Sequence, residues 1–196
     1  MSRAKRRTVV LAAAACTGVL LIVVLVAGWA GGGSSTVSYV DGSKIAVLYA
    51  AGHRPKAPDF TGTTLTGSQL SFSSYRNKVV VLNFWGSWCV PCREEASTLA
   101  AVAASYRPSG VDFLGVDVRD TTASAATFAH SFGITYPSVS DPSSVITLDF
   151  TSVVPIAGTP TTLVIDKTGH IAGAVFGPVT YSELSTILTK VTGNAG

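Results

Sequence analysis

A regular alternation of strand and helix patterns, which begins near Pro58, restricts the fold of this chain more than any other feature. The run at residues 78–85 (KVVVLNFW) is short, apolar and rich in valine, as in a central strand that is buried on both faces. A helix, a second strand, a second helix, a third strand with a hairpin and a closing helix follow. This order predicts an α/β domain with a mixed central sheet and helices on both faces.

The first 30 residues differ in character from the rest. Residues 1–7 (MSRAKRR) contain four basic side chains and no acid, and residues 8–30 contain no charged side chain. About 20 apolar residues can cross a bilayer as a helix, and basic residues before such a helix predict a cytoplasmic N-terminus and an exported remainder. We therefore predict an uncleaved, single-pass N-terminal transmembrane helix. A cleaved signal segment, which would release a secreted protein, is the alternative.

These patterns divide the chain into three segments. Residues 1–30 are the membrane anchor or signal segment, residues 31–57 a flexible extracytoplasmic linker that begins with GGGSS, and residues 58–193 the α/β domain. Four of the 14 basic residues lie in the N-terminal tail, so the remainder carries 10 basic and 11 acidic side chains. Such a nearly neutral exported part does not predict nucleic acid as a partner.

Two of the three cysteines, Cys89 and Cys92, lie three positions apart where the first core strand gives way to a helix. A structural zinc site needs four ligands, and the three histidines of the chain are isolated. A c-type haem attachment site needs a histidine directly after the second cysteine, and Arg93 occupies that position. A purely structural disulfide across three residues would close a very small loop and contribute little stability. The pattern favours a redox-active dithiol and predicts no metal.

The predicted position of the dithiol explains its chemistry. Open α/β sheets place their functional sites at the carboxyl ends of strands, where helices begin. The free amides and the dipole of a helix N-terminus favour an anion, so they should stabilise the thiolate of Cys89. We expect Cys89 to be exposed and to attack a substrate disulfide, and Cys92 to be shielded and to resolve the mixed disulfide. Pro91 suits the first helical turn, where no hydrogen bond is lost.

Several motifs together are similar to those of a known group of proteins. They are NFWGSWCVPCREE (83–95), the opening APDF (57–60), GVDVRD (115–120) and GTPTTLVIDKTGHI (158–171). This combination resembles the TlpA/ResA family, the membrane-anchored or secreted thiol-disulfide oxidoreductases of bacteria. The resemblance covers about residues 57–190 and implies a thioredoxin-like fold with an additional strand and helix in residues 135–158. A peroxidase of the related peroxiredoxin group shares the APDF opening, but its threonine-containing nucleophile segment is absent.

The resemblance also implies roles for individual residues. Pro160 matches the cis-proline of the family, which lies beside the dithiol and leaves the backbone of Thr159 free to pair with a substrate strand. Trp88, next to the first cysteine, would shield the thiolate and contact a partner. Plain thioredoxin has a buried acid where this chain has Asn83, which cannot titrate. Glu95 matches the glutamate of the ResA-like pattern and is the candidate that tunes the thiols; a helix acid that only complements the dipole is the alternative.

The resemblance thus implies a membrane-anchored, extracytoplasmic thiol-disulfide oxidoreductase. No diffusible cofactor is needed, because the dithiol itself carries two electrons. The favoured activity is reduction of disulfides in exported proteins, for instance of apocytochrome c cysteines during cytochrome c maturation, with recharging by a membrane electron-carrying thiol partner. The alternatives are an oxidase that forms disulfides in exported proteins and, outside enzymology, an anchored peptide-binding module with a vestigial disulfide.

Overall fold

The computed structural model describes residues 36–41 and 44–193. The described residues form, in chain order, β1 (Thr36–Asp41), β2 (Lys44–Tyr49), β3 (Thr61–Thr63), β4 (Gln69–Ser71), β5 (Val79–Trp85), α1 (Val90–Tyr106), β6 (Val111–Val118), α2 (Thr122–Ser131), β7 (Ser138–Asp141), α3 (Val145–Thr151), β8 (Thr161–Ile165), β9 (Ile171–Phe176) and α4 (Tyr181–Gly193). Short 3₁₀ turns lie at Phe72–Tyr75 and Arg107–Ser109.

Seven of these strands form one mixed sheet in the order β1-β2-β9-β8-β5-β6-β7. Strands β5, β6 and β7 are parallel, whereas β8 is antiparallel to both β5 and β9, and β2 is antiparallel to β1 and β9. Strands β3 and β4 form a separate two-stranded hairpin. The predicted mixed sheet and the predicted β8–β9 hairpin are therefore confirmed.

Strand β5 lies in the middle of the sheet, and all seven of its residues are buried. Alternate side chains point to opposite faces, so an apolar run of this kind can be covered on both sides. On one face Val81 belongs to a cluster with Leu99 of α1 and Leu184 of α4. On the other face Leu82 belongs to a cluster with Phe150 of α3. The prediction of helices on both faces is confirmed.

The segment predicted as an additional strand and helix contains β7 and α3. Strand β7 extends the parallel part of the sheet beyond β6. Helix α3 contributes Phe150, whose ring lies 5.3 Å from that of Phe84 and 6.0 Å from that of Phe60 in edge-on geometry. This segment therefore completes the core on this face of the sheet and supplies β7, the last strand at one edge of the sheet.

The structure differs from the sequence prediction in the segment 31–57. Strand β2 pairs with β9 from Ile45 opposite Phe176 to Leu48 opposite Gly173, and β1 pairs with β2. A compact unit begins at Thr36, in the segment for which a flexible linker is predicted. The physical reason is that β9 would otherwise end the sheet as an unpaired edge, and an apolar strand satisfies its backbone groups.

The predicted transmembrane helix in residues 1–30 lies outside the described residues. Within residues 36–41 and 44–193, no helix combines the length and the apolar character that crossing a membrane requires. The uncleaved anchor and the cleaved signal segment both stay predictions.

Candidate active site

Cys89 and Cys92 are joined by a disulfide at the start of α1. Strand β5 ends at Trp85, four residues follow, and α1 begins at Val90 with Pro91 in its first turn. Cys89 is the N-cap residue of the helix, and its Sγ accepts a hydrogen bond from the Cys92 N–H at 3.2 Å. The sulfur thus takes the place that a serine or aspartate oxygen occupies at most helix N-termini.

Both cysteines are buried, Cys89 with 3% and Cys92 with 2% of its surface exposed. This differs from the predicted exposure of Cys89. The disulfide directs the Cys89 sulfur toward the first helical turn, and both residues belong to a cluster with Trp85 of β5 and Phe128 of α2. The surface beside the disulfide is supplied instead by Trp88, which is 55% exposed.

The indole of Trp88 is fixed in place beside the disulfide. Its N–H donates to the carbonyl oxygen of Val118, the last residue of β6, at 2.9 Å. A Cβ on Gly86 would lie only 2.5 Å from the indole nitrogen, so the ring can lie over this backbone only because residue 86 is glycine. Val90, on the other side of Cys89, is 67% exposed. Exposed apolar side chains therefore stand directly before and directly after Cys89 in the chain.

The bond between Thr159 and Pro160 is a cis peptide bond, as the resemblance implied. Thr161 follows at the start of β8 and lies opposite Phe84 of β5. Because β8 is antiparallel to β5, its beginning lies at the end of β5 that leads to Cys89. Among the described residues, none forms a hydrogen bond with the main chain of Thr159, and its hydroxyl is buried without a partner. Thr159 therefore retains main-chain groups that another chain can bind.

Glu95 is almost completely buried, with 2% of its surface exposed, one helical turn after Cys92. Its Oε1 accepts from the Asn83 side-chain amide at 2.8 Å, and its Oε2 accepts from the Val179 N–H at 2.8 Å. Burial raises the pKa of this carboxyl to about 7, although both hydrogen bonds act in the opposite direction. Asn83 also donates to Thr162 Oγ1 at 3.0 Å. An acid that merely complemented the helix dipole would face solvent, whereas Glu95 is enclosed.

Helix α2 encloses the site on its remaining side. The Phe128 ring stacks on Trp85 with 4.8 Å between centroids. The Arg93 guanidinium, which directly follows the second cysteine, lies 5.7 Å from the Phe128 ring and 5.4 Å from the Phe132 ring. Its charge is thus held against aromatic faces beside the disulfide.

Two acids near the disulfide were not predicted. Asp120 Oδ2 accepts from the Ser87 N–H at 2.7 Å. Asp117 is completely buried. Its burial, and to a lesser degree the neighbouring carboxyl of Asp120, raise its pKa to about 7. The motif GVDVRD could have indicated them, because it places both acids at the carboxyl end of a strand. The carboxyl ends of parallel strands meet at one edge of a sheet, which is also where Cys89 lies. In the part of the chain that the structure describes, no group of three or more His, Cys, Asp or Glu side chains could hold a metal ion.

Comparison with known proteins agrees with this geometry. The model of the AhpC/TSA family matches residues 54–174. The thiol-disulfide oxidoreductase ResA of Geobacillus kaustophilus is 37% identical over 135 residues, which are 69% of this chain and 75% of that protein.

Solved structures give the same result. A secreted thiol-disulfide isomerase from Corynebacterium glutamicum has a TM-score of 0.65 at 29% identity, over 83% of this chain and 95% of its own. A DsbF homologue from Corynebacterium diphtheriae has a TM-score of 0.62 at 32% identity, over 82% and 95%. The chain therefore belongs to the AhpC/TSA family and is a thioredoxin-fold thiol-disulfide oxidoreductase of the ResA type.

Proposed function

We propose that this chain exchanges disulfides with exported proteins through Cys89, and that Cys92 is the resolving cysteine. The observation that carries the proposal is the place of the Cys89 sulfur at the N-cap of α1, where the Cys92 N–H donates to it. After reduction, a thiolate at that place is stabilised by the free N–H groups of the first turn and by the helix dipole. The attacking group is therefore Cys89, the residue at the tip of the helix.

The exchange takes place in two thiol-disulfide exchange steps. The Cys89 thiolate attacks one sulfur of a substrate disulfide, a mixed disulfide forms, and the other substrate sulfur leaves as a thiolate. Cys92 then loses its proton and attacks the Cys89 sulfur, which re-forms the Cys89–Cys92 bond and releases the second substrate thiolate. Two electrons pass from the dithiol to the substrate, and the two released thiolates take up two protons.

Glu95 is proposed as the acid that handles the proton of Cys92. It follows Cys92 by one helical turn, and its burial raises the pKa of its carboxyl to about 7. A group with a pKa near the working pH can both accept and return a proton. Asn83 and the Val179 N–H fix the carboxyl oxygens, so Glu95 has a defined position relative to the helix.

Trp88, Thr159 and Pro160 are proposed as the substrate-binding residues. Trp88 supplies a half-exposed apolar ring next to Cys89, and the unpaired main chain of Thr159 supplies one donor and one acceptor. An extended peptide segment could pair with that main chain as an added strand. The substrate class is therefore an extended protein segment that carries a cysteine or a disulfide.

The cellular setting is proposed from the sequence and the relatives. The basic tail and the uncharged run in residues 1–30 support export with a membrane anchor. One structural relative is described as a secreted thiol-disulfide isomerase. The motifs shared with the TlpA/ResA family favour reduction as the direction, with recharging by a membrane thiol partner and apocytochrome c as a candidate substrate. Formation of disulfides in exported proteins is the second candidate, because a dithiol couple can run in either direction according to its reduction potential.

The division of labour between the cysteines can be tested by trapping. We expect Cys92→Ser to accumulate mixed disulfides with exported proteins, because the resolving step is removed. Cys89→Ser should accumulate almost none, and the double variant provides the background. Non-reducing gels followed by mass spectrometry identify the trapped cysteine. Equal trapping by the two single variants would contradict the assignment.

The direction requires a separate measurement. The reduction potential of the Cys89–Cys92 couple, determined by equilibration with glutathione, should be more negative than that of an extracytoplasmic oxidant if the chain is a reductase. A strongly oxidising value, together with loss of disulfides in exported proteins when Cys89→Ser replaces the wild type, would favour the oxidase.

A further inference from the structure

Asp117 is a buried acid whose carboxyl oxygens accept no hydrogen bond from an N–H or hydroxyl group of the described residues. It is the residue before the last in β6, and none of its surface is exposed. An ionised carboxylate that is buried in this way is strongly unfavourable, so the group must be neutral or must find a compensating partner. The proton it retains then needs an acceptor.

The charged groups that act on Asp117 are two further acids. Asp120 lies in the loop after β6, and Asp141 is the last residue of β7. The carboxyl of Asp141 already accepts from the N–H groups of Ile146 and Thr147 and from the Thr147 hydroxyl. The charge of Asp120 and a side-chain hydrogen bond to it both raise the pKa of Asp117, so both favour its protonated form. A neutral Asp117 can therefore donate its O–H to Asp120.

Asp120 is in turn connected to the active-site loop. Its Oδ2 accepts from the Ser87 N–H and its Oδ1 from the Thr121 N–H, both at 2.7 Å. The neighbouring Val118 accepts from the Trp88 indole. The short segment from Asp117 to Asp120 thus holds both of the residues that precede Cys89.

We propose that Asp117 is kept as a neutral carboxylic acid and, by donating to Asp120, is a positioning residue for Ser87 and Trp88. Loss of its proton would place two carboxylates side by side and weaken the contact between Asp120 and Ser87. The loop before Cys89 would then change its conformation. The indole N–H of Trp85, the residue opposite Asp117 in the sheet, and the Ser138 hydroxyl are buried and have no partner among the described residues.

The first test uses the oxidised, full-length protein, in which Cys89 and Cys92 cannot titrate. We follow the indole ¹⁵N–¹H signal of Trp88, assigned with Trp88→Phe, between about pH 5 and pH 9. In wild type the signal should shift in one step centred near the pH at which Asp117 titrates. Asp117→Asn keeps a donor for Asp120 but cannot ionise, so its signal should stay flat at the low-pH position of wild type. Glu95→Gln and the exposed-site control Asp149→Asn should keep the step.

A second readout uses the chemistry of the site and rests on the exchange at Cys89 proposed above. We measure the rate at which dithiothreitol reduces the protein disulfide and divide it by the thiolate fraction of dithiothreitol at each pH. This corrected rate should change several-fold between about pH 5 and pH 9 in wild type and less than about twofold in Asp117→Asn. The indole titration does not depend on this reactivity, so failure of the proposed exchange would leave it intact. A step that persists in Asp117→Asn, or a flat wild-type signal, overturns the inference.

Wild type alone provides a test that does not depend on the folding of a variant. With ¹³C-labelled aspartate carboxyls, one signal should titrate well above the ordinary range of aspartate. If every aspartate signal of the oxidised protein titrates below about pH 5, the neutral acid does not exist and the inference is wrong.

Discussion

At the scale of single residues, the informative groups are the buried polar ones. The resemblance to the ResA-like pattern predicts that Glu95 is a functional acid, with a plain helix-terminal acid as the alternative. The structure encloses its carboxyl between Asn83 and the Val179 N–H. Val179 lies 84 positions away in the chain, so no local pattern could have predicted this burial. The residue type was readable from the sequence, but its environment depended on the tertiary fold.

The raised pKa of Glu95 makes the stability of the protein depend on pH. An unfolded carboxyl loses its proton at about pH 4.5, whereas folded Glu95 keeps its proton to about pH 7. The folded state therefore binds more protons in this window, and this contribution to stability is present below it and is lost as the pH rises through it. The slope for one group is at most about 1.4 kcal/mol per pH unit.

We expect the difference in free energy of unfolding between wild type and Glu95→Gln to decrease from about pH 5 to pH 7 and then to level off. Denaturant titrations of the oxidised proteins measure it without interference from the thiols. Glu94→Gln, at an exposed position of the same helix, is the matched control. A constant difference for Glu95→Gln would mean that its carboxyl titrates normally.

Glu95 should also affect the thiols directly. A nearby carboxylate disfavours a second negative charge, so it delays ionisation of Cys92 and couples the two titrations. In Glu95→Gln, alkylation of the reduced protein by iodoacetamide should begin at lower pH than in wild type, while Glu94→Gln should follow the wild-type curve. Superimposable curves for wild type and Glu95→Gln would leave Glu95 with a structural role alone.

At the scale of secondary-structure elements, local patterns were reliable and distant pairing was not. Strand β5 and helix α1 follow from an apolar run and from helical spacing, and the β8–β9 hairpin follows from its turn. The place of β2 beside β9 joins residues more than 120 positions apart, so no local pattern predicts it. The positions of Cys89 and Pro160 were likewise available, because both rest on local motifs.

In the loop between β5 and α1, Gly86 leaves the space that the indole ring of Trp88 occupies. A Cβ in Gly86→Ala would lie 2.5 Å from the indole nitrogen, so the ring must move and lose its hydrogen bond to Val118. We expect a loss of about 1–3 kcal/mol in stability and a several-fold slower reduction of insulin, because Trp88 no longer flanks Cys89. Gly193→Ala, where a Cβ meets no atom within 4 Å, is the control. Unchanged activity in Gly86→Ala would show that the indole position does not matter.

At the scale of the whole molecule, the sheet is wider than the sequence suggested. The domain predicted to begin at residue 58 includes β1 and β2, which cover the edge of β9. Ala46 is buried there, and Leu48 packs against the cluster that contains α4. Strand β2 therefore belongs to the folded core.

We compare a chain that begins at residue 36 with one that begins at residue 51. Loss of β2 exposes the β9 edge and part of the α4 cluster, so the shorter chain should be less stable by about 2 kcal/mol or more. Its β9 amides should exchange faster with deuterated solvent. Equal stability and equal exchange in the two chains would support the flexible linker that the sequence predicts.

The sulfur at the N-cap of α1 has a thermodynamic consequence. Reduction replaces a neutral disulfide sulfur by a charged thiolate, which is the better cap, whereas the carboxylate of Glu95 opposes the added charge. A thermodynamic cycle links folding to reduction. The difference in free energy of unfolding between the oxidised and the reduced protein equals the difference in free energy of reduction between the folded and the unfolded chain. A difference of 1.4 kcal/mol corresponds to about 30 mV for a two-electron couple. Two melting curves, one for each redox state, would thus rank this protein as an electron donor or acceptor before any natural substrate is known.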